Sequence, residues 1–202
     1  MILALDCSAS CASVALVSQG QLVREVHAEA PRGRGGALFS ALEEILVDAR
    51  ELERVVIGTG PGSYNGIRSA LAAGWGIAAV RGVPVVGVSS LLGLAEGTYV
   101  AVGDARRGQY YWAVIEGSSF VEEPVLLEAA DLSDSLARFP SLPRYVPSPI
   151  RDIPEAEVRM PMAARLAAVG ASLEPVPGIP EPLYLKPAYI NLAGGASAPA
   201  GR

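Results

Sequence analysis

The order of apolar and polar positions predicts short strands first and longer helices after them. Met1 to Asp6 is an apolar run that stops at a carboxylate. A polar turn over Ser8, Ala9 and Ser10 follows, and the apolar stretch Ala12 to Val17 leads through Ser18, Gln19 and Gly20 into Leu22 to His27. Two turns between three such runs predict an antiparallel meander. Beyond the linker PRGRGG at 31–36, Leu38, Leu42, Ile45, Leu46 and Ala49 recur at helical spacing. Glu43, Glu44 and Asp48 lie on the other side, so an amphipathic helix is expected. The run RVVIGTG from Arg54 reads as a buried strand, Gly66 to Val80 as a second helix, and VPVVGVS from Val83 as another buried strand.

A second unit begins near Tyr99. In YVAVGDARRGQYYWAVIE an apolar strand ends at Asp104, a tight turn follows, and an alternating strand resumes. Ala15 and Leu16 lie nine and ten residues beyond Asp6, as Ala113 and Val114 do beyond Asp104, which marks a duplicated fold start. After Glu128 the prolines Pro140, Pro143, Pro147, Pro149, Pro154 and Pro161 remove donors and break regular elements. The second unit is therefore expected to be small and loop-rich, with one helix over Met162 to Val169 and a mobile tail, GGASAPAGR. The expected division is 1–100 for a first lobe carrying the helices and 101–202 for the smaller lobe. Three meander strands followed by alternating helix and strand predict an α/β architecture of the actin-like ATPase (RNase H-like) kind, with a mixed five-stranded sheet.

Composition narrows the function classes. Of 202 residues, 50% are hydrophobic, enough for a substantial core. Only 18% are charged, with a net charge of −5, so no large positive field awaits a phosphate backbone and direct nucleic-acid binding is not expected. The opening apolar run has no basic residues before it and is too short for a signal peptide or a membrane span, which predicts a cytoplasmic protein. Cys7 and Cys11 are too few for a disulfide framework or a thiolate metal site and read as small, partly buried residues. The single histidine, His27, rules out a His-rich metal cluster and argues against a metalloprotease.

The densest motif is GTGPGSYNGIRSA, from Gly58 to Ala70. A glycine-rich turn entering a helix presents unpaired N–H groups, the chemistry of a phosphate cradle, and Gly60, Gly62, Ser63 and Gly66 are its candidates. The alternative is a purely structural strand-to-helix turn, and no Lys follows the glycines as a Walker loop requires. The helix that follows has no charged side chain between Arg68 and Arg81. Leu38, Leu42, Leu71, Gly74, Trp75 and Ala78 are the candidates for a face covered by another molecule, and a helix sandwiched within its own domain is the alternative. Asp6 and Asp104, each at a strand end before a turn, either hold a metal-nucleotide across a cleft or simply cap their turns.

The ordered blocks MILALDCS, GPGSYNGIRSALAAGWGIA, VPVVGVSSLLGLA, DARRGQYYWAV and PLYLKPAY resemble the TsaB (YeaZ) family of tRNA threonylcarbamoyladenosine biosynthesis proteins. The likeness covers the chain up to Ile190. It implies a two-lobed ATPase fold without catalysis or a cofactor of its own. The implied role is a scaffold that docks on a TsaD-type enzyme through its first two helices, with a TsaE-type ATPase as third member and a homodimer when alone. It leaves open whether ATP or ADP sits at an interface shared with the partner. The enzyme's metal-binding histidine pair would fall near Gly36 to Ser40, where this chain has none. Cys7, Tyr64 and Asn65 depart from the family's usual residues, as does RGRGGALFS at the entry to the first helix. An active small-molecule kinase or ATPase using Asp6, Asp104 and the Gly60–Gly66 turn is the competing reading.

Overall fold

In a computed structural model, which describes residues 1–29, 36–175, 177–185, 189–191 and 197–199, the predicted meander is formed by Ile2–Asp6 (β1), Cys11–Ser18 (β2) and Gln21–Glu29 (β3). β1 also pairs in parallel with Arg54–Gly58 (β4), and β4 with Val85–Val88 (β5), giving the order β3-β2-β1-β4-β5. The central strands are apolar on both faces because both faces are covered.

Leu3, Leu5, Val14, Leu16, Val55 and Ile57 point to one side, where Gly36–Leu46 (α1) and Tyr64–Arg81 (α2) lie over them through Leu38, Leu42, Ile45, Ile67, Ala70 and Leu71. Strand alternation sends Ala4, Ala15, Val56 and Val86 to the opposite face. There they meet Ala163, Leu166 and Ala167 of Ala163–Gly170 (α4). The helix expected at 162–169 thus exists, but it covers the first sheet, in a core it shares with Tyr99, Ala101 and Ala113 of the second lobe. That back face is apolar and needs a layer, and its small residues admit a close helix. The sheet also holds the helix's first turn: Ala163 N donates to Ser13 Oγ at 2.8 Å, and Ala164 N to Glu25 Oε1 at 3.1 Å.

A second sheet is built from Thr98–Asp104 (β6), Gln109–Glu116 (β7), Ser119–Glu128 (β8), Arg144–Val146 (β9) and Glu157–Val158 (β10). Its order, β10-β9-β6-β7-β8, repeats the topology of β5-β4-β1-β2-β3. The duplication is real, with its register displaced by one residue: Ala4 faces Ala15, two positions before Asp6, while Ala101 faces Ala113, three before Asp104. The second lobe is therefore richer than a loop-dominated unit. β8 tolerates Pro124 because it is an edge strand, beside register shifts that interrupt the ladder. The helix Ala129–Ala137 (α3) packs Leu132 and Leu136 on Val100, Trp112 and Val146, but its Asp and Ser residues weaken its helical signal.

Within the expected tail, Ser197–Pro199 (β12) pairs with Tyr189–Asn191 (β11). The rest of that tail and residues 31–35 of the linker lie outside the described residues. Among the described residues no helix is long and apolar enough to cross a membrane.

Candidate functional site: a cleft between two strand-end aspartates and an outer helical groove

β1 delivers Asp6 to the base of the glycine-rich loop, where it is fully buried. Its Oδ1 accepts from Ser8 N at 2.8 Å and Ser8 Oγ at 2.7 Å, and Ser90 Oγ donates to its Oδ2. Burial raises the carboxyl above its ordinary value, against the pull of these donors toward the ionised form. Space for the carboxylate exists only because residue 58 is glycine, whose missing Cβ would stand 1.8 Å from Asp6 Oδ2.

The loop itself folds inward. Gly60, at φ +95°, donates to Ser90 Oγ at 2.9 Å, and its carbonyl accepts from Ser90 N and Ser89 Oγ, both at 2.9 Å. Ser63 N donates to Ser8 O at 2.7 Å, while Ser63 Oγ caps α2 by accepting from Gly66 N. Gly62 and Gly66 press against the carbonyls of Ser8 and Cys7, which a Cβ would meet at 2.2 and 1.9 Å. The four cradle candidates, Gly60, Gly62, Ser63 and Gly66, are brought together as predicted, but the amides of Gly60, Ser63 and Gly66 already donate within the chain. That arrangement fits a structural turn better than a phosphate cradle. Ser90, which ties Asp6 to the loop, was not singled out from the sequence. A hydroxyl two residues beyond a strand end has no periodic signature.

Asp104 has a different setting. It is exposed, accepts from its own turn at Arg106 N (2.6 Å), and pairs with Arg106 Nη1 at 3.4 Å. Between the two turns lies a cleft of about 1110 Å³, lined by Cys7, Ser8, Asn65, Asp104, Tyr111 and Tyr184 among others. Tyr111 also escaped the sequence reading. Its ring lies over Gly103, where a Cβ would come within 1.8 Å of it, and burial raises its phenol, with Asp6 and then Asp104 adding to the shift. Cys7 is buried in the first core and its thiol is pushed up to about 12, mainly by burial; half-buried Cys11 is raised as well. Neither is an activated thiolate. His27 is exposed on β3, 3.7 Å from Glu25. Among the described residues no group of three or more His, Cys, Asp or Glu could hold a metal ion.

The helical face needs correcting. Leu38, Leu42, Leu71, Gly74 and Ala78 point into the chain's own core, and Trp75 is half-buried against it. The close backbone approach expected at Gly74 occurs within the chain, against Ile57, which a Cβ would meet at 2.6 Å. Positions 67, 70, 71, 74 and 78 share one face of a 3.6-residue helix, and the sheet claims that face. Among the described residues the opposite faces remain open. Phe39, Val47 and Val80 are 55%, 72% and 87% exposed, and a groove of about 480 Å³ runs between α1 and α2, lined by Phe39, Glu43, Leu46, Gly76, Ile77 and Val80 among others.

The family model of TsaD, tRNA N6-adenosine threonylcarbamoyltransferase, matches residues 35–167. The TsaB protein of Escherichia coli, named for tRNA threonylcarbamoyladenosine biosynthesis, is 26% identical, with 92% of this chain and 94% of that protein aligned. An uncharacterized protein of Mycobacterium tuberculosis is 32% identical over 74% of this chain and 71% of its own. Among solved structures, one from Pseudomonas aeruginosa, described as similar to peptidase YEAZ, superposes with a TM-score of 0.71 at 23% identity, over 92% of this chain and 99% of the other. YeaZ from the same organism gives a TM-score of 0.64 at 22% identity, over 84% and 90%. The last two likenesses concern the fold.

Proposed function

Given that the chain belongs to the TsaD family, and within it to the TsaB (YeaZ) proteins, we propose that it is a non-catalytic subunit in the synthesis of tRNA N6-threonylcarbamoyladenosine. It acts by docking on a TsaD-type enzyme through the outer faces of α1 and α2.

The observation that carries this reading is the apolar groove between those helices, where Phe39 and Val80 are exposed among the described residues and half-buried Ile77 lines the wall. An exposed apolar groove of this kind is the mark of a protein–protein contact. The absence of catalysis is supported by the site. Both oxygens of Asp6 are engaged by serines, the Gly60, Ser63 and Gly66 amides are occupied, and residues 36–40 contain no histidine. The residues present therefore do not fit a metal-nucleotide held by this chain. Any ATP or ADP belongs to an interface shared with the partner. A TsaE-type ATPase as a third member, a homodimer in the partner's absence and a cytoplasmic location complete the proposal.

The test is co-expression with the TsaD-type protein of the same organism and mass measurement of the purified complex. Phe39→Glu and Val80→Glu, both at exposed positions, are expected to weaken the complex roughly 30-fold or more with melting temperatures unchanged. Full-strength binding by both variants would reject the docking face. MgATP turnover by the isolated chain that is lost in Asp6→Asn would reject the non-catalytic role. Trp75→Glu is a poorer probe, because Trp75 supports the core.

A further inference from the structure

Residues 179–185 cross from the end of the first sheet to the first turn of α2. Pro180 sits against Gly87, where a Cβ would come within 2.7 Å of it, Leu183 N donates to Thr59 O at 2.8 Å, and Leu185 rests on the core shared by the two sheets. Pro180 and Pro182 have no amide hydrogen, so backbone anchoring falls on Leu183. Beyond it Tyr184 stacks on Tyr64, the first residue of α2, with ring centroids 5.3 Å apart and planes inclined by 27°. Arg68 steadies Tyr64 from the next turn, its guanidinium 5.1 Å from the ring centroid and its Nη1 donating to the hydroxyl. Leu183, Tyr184 and Leu185 together form part of the wall of the cleft.

We infer that residues 179–185 are a strap over the cleft, latched by the Tyr184–Tyr64 stack, which swings open while both sheets stay folded. No strand of either five-stranded sheet depends on the segment for its ladder hydrogen bonds. Its hold is uneven: Pro180 is buried against Gly87 and Leu183 and Leu185 are half-buried, whereas Ile179 is 52% exposed and both tyrosines 44%. Segments with few buried contacts open locally before the fold does. These contacts hold the strap whether or not α1 and α2 dock on a partner.

Amide hydrogen exchange on the full chain, followed by NMR, tests it. An aromatic stack of this kind shifts a closed–open equilibrium by roughly two- to ten-fold. Tyr184→Ala should therefore speed exchange at Leu183 by that factor, while Ala101 and Ala113 in the second sheet keep their rates. Tyr64→Ala should match it, the double variant should equal either single change, and Tyr184→Phe should restore the closed strap. An unchanged Leu183 rate in Tyr184→Ala would overturn the inference. So would Ala101 and Ala113 accelerating in step with Leu183, because the opening would then be global unfolding.

Discussion

The two halves begin with the same grammar, an apolar strand ending in aspartate before a turn, yet the two aspartates have opposite surroundings. Asp6 lies at 0% exposure under a glycine-rich loop, gripped by Ser8 and Ser90. Asp104 keeps a side chain 43% exposed and caps its own turn. The difference arises outside the strands. In the first sheet, β4 leads through Gly58–Gly66 into a long helix folded back over the β1 end, whereas β9 in the second sheet ends at Val146 and runs into a proline-rich stretch. A duplicated topology therefore preserved the position of the carboxylate and not its chemistry.

The most severe way to break this contrast is Gly58→Ala, which places a methyl against Asp6 Oδ2. It is expected to cost about 3 kcal/mol or more, seen as a large fall in the urea midpoint or as loss of soluble protein. Removing the carboxylates themselves should separate the two sites. Asp6→Ala strands the Ser8 amide and two buried hydroxyls at a cost of about 2–4 kcal/mol, measurable by the same unfolding curves.

The third test uses pH. Because burial lifts Asp6, the native state keeps its proton over a range where the unfolded chain, near the ordinary aspartate value of 3.8, has already released it. The native state then binds more protons, so this group's contribution is full below the unfolded value and is lost as pH rises through the lifted native one. Asp6→Asn should abolish that decline, so the stability of the variant relative to the parent should grow with pH across the window; a constant difference would contradict the buried carboxyl. The smallest effect is expected for Asp104→Ala, no more than about 0.5–1 kcal/mol, since an exposed turn cap with a solvated ion pair is worth little. A loss as large as that of Asp6→Ala would erase the comparison.

Much of the architecture was legible in the residues. Alternation and helical spacing located the first meander, α1, β4, α2 and β5, and the repeated strand–aspartate–turn pattern announced β6 and β7 but not the rest of the second sheet. α3 was not legible, because Asp131, Ser133, Asp134 and Ser135 blur a two-leucine face, and β8 was hidden by Pro124 and its irregular register. At the site, the glycines were visible as a loop, but Ser90 and Tyr111 were not. Their roles depend on atoms 84 positions away in sequence, as for Ser90 and Asp6, or on a cross-strand neighbour, as for Tyr111 and Gly103.

The sequence by itself determined that α2 is apolar around its circumference and that two aspartates end two equivalent strands. Both are local properties, set by residue type and period. Only the tertiary structure decided which faces of α1 and α2 the sheet would take, leaving Phe39 and Val80 outward in place of Leu38 and Leu71, and which aspartate would be sealed from water. An all-apolar helix carries no preferred side of its own. The choice falls to whichever face finds the better-fitting partner, here the one where Gly74 lets the backbone settle against Ile57.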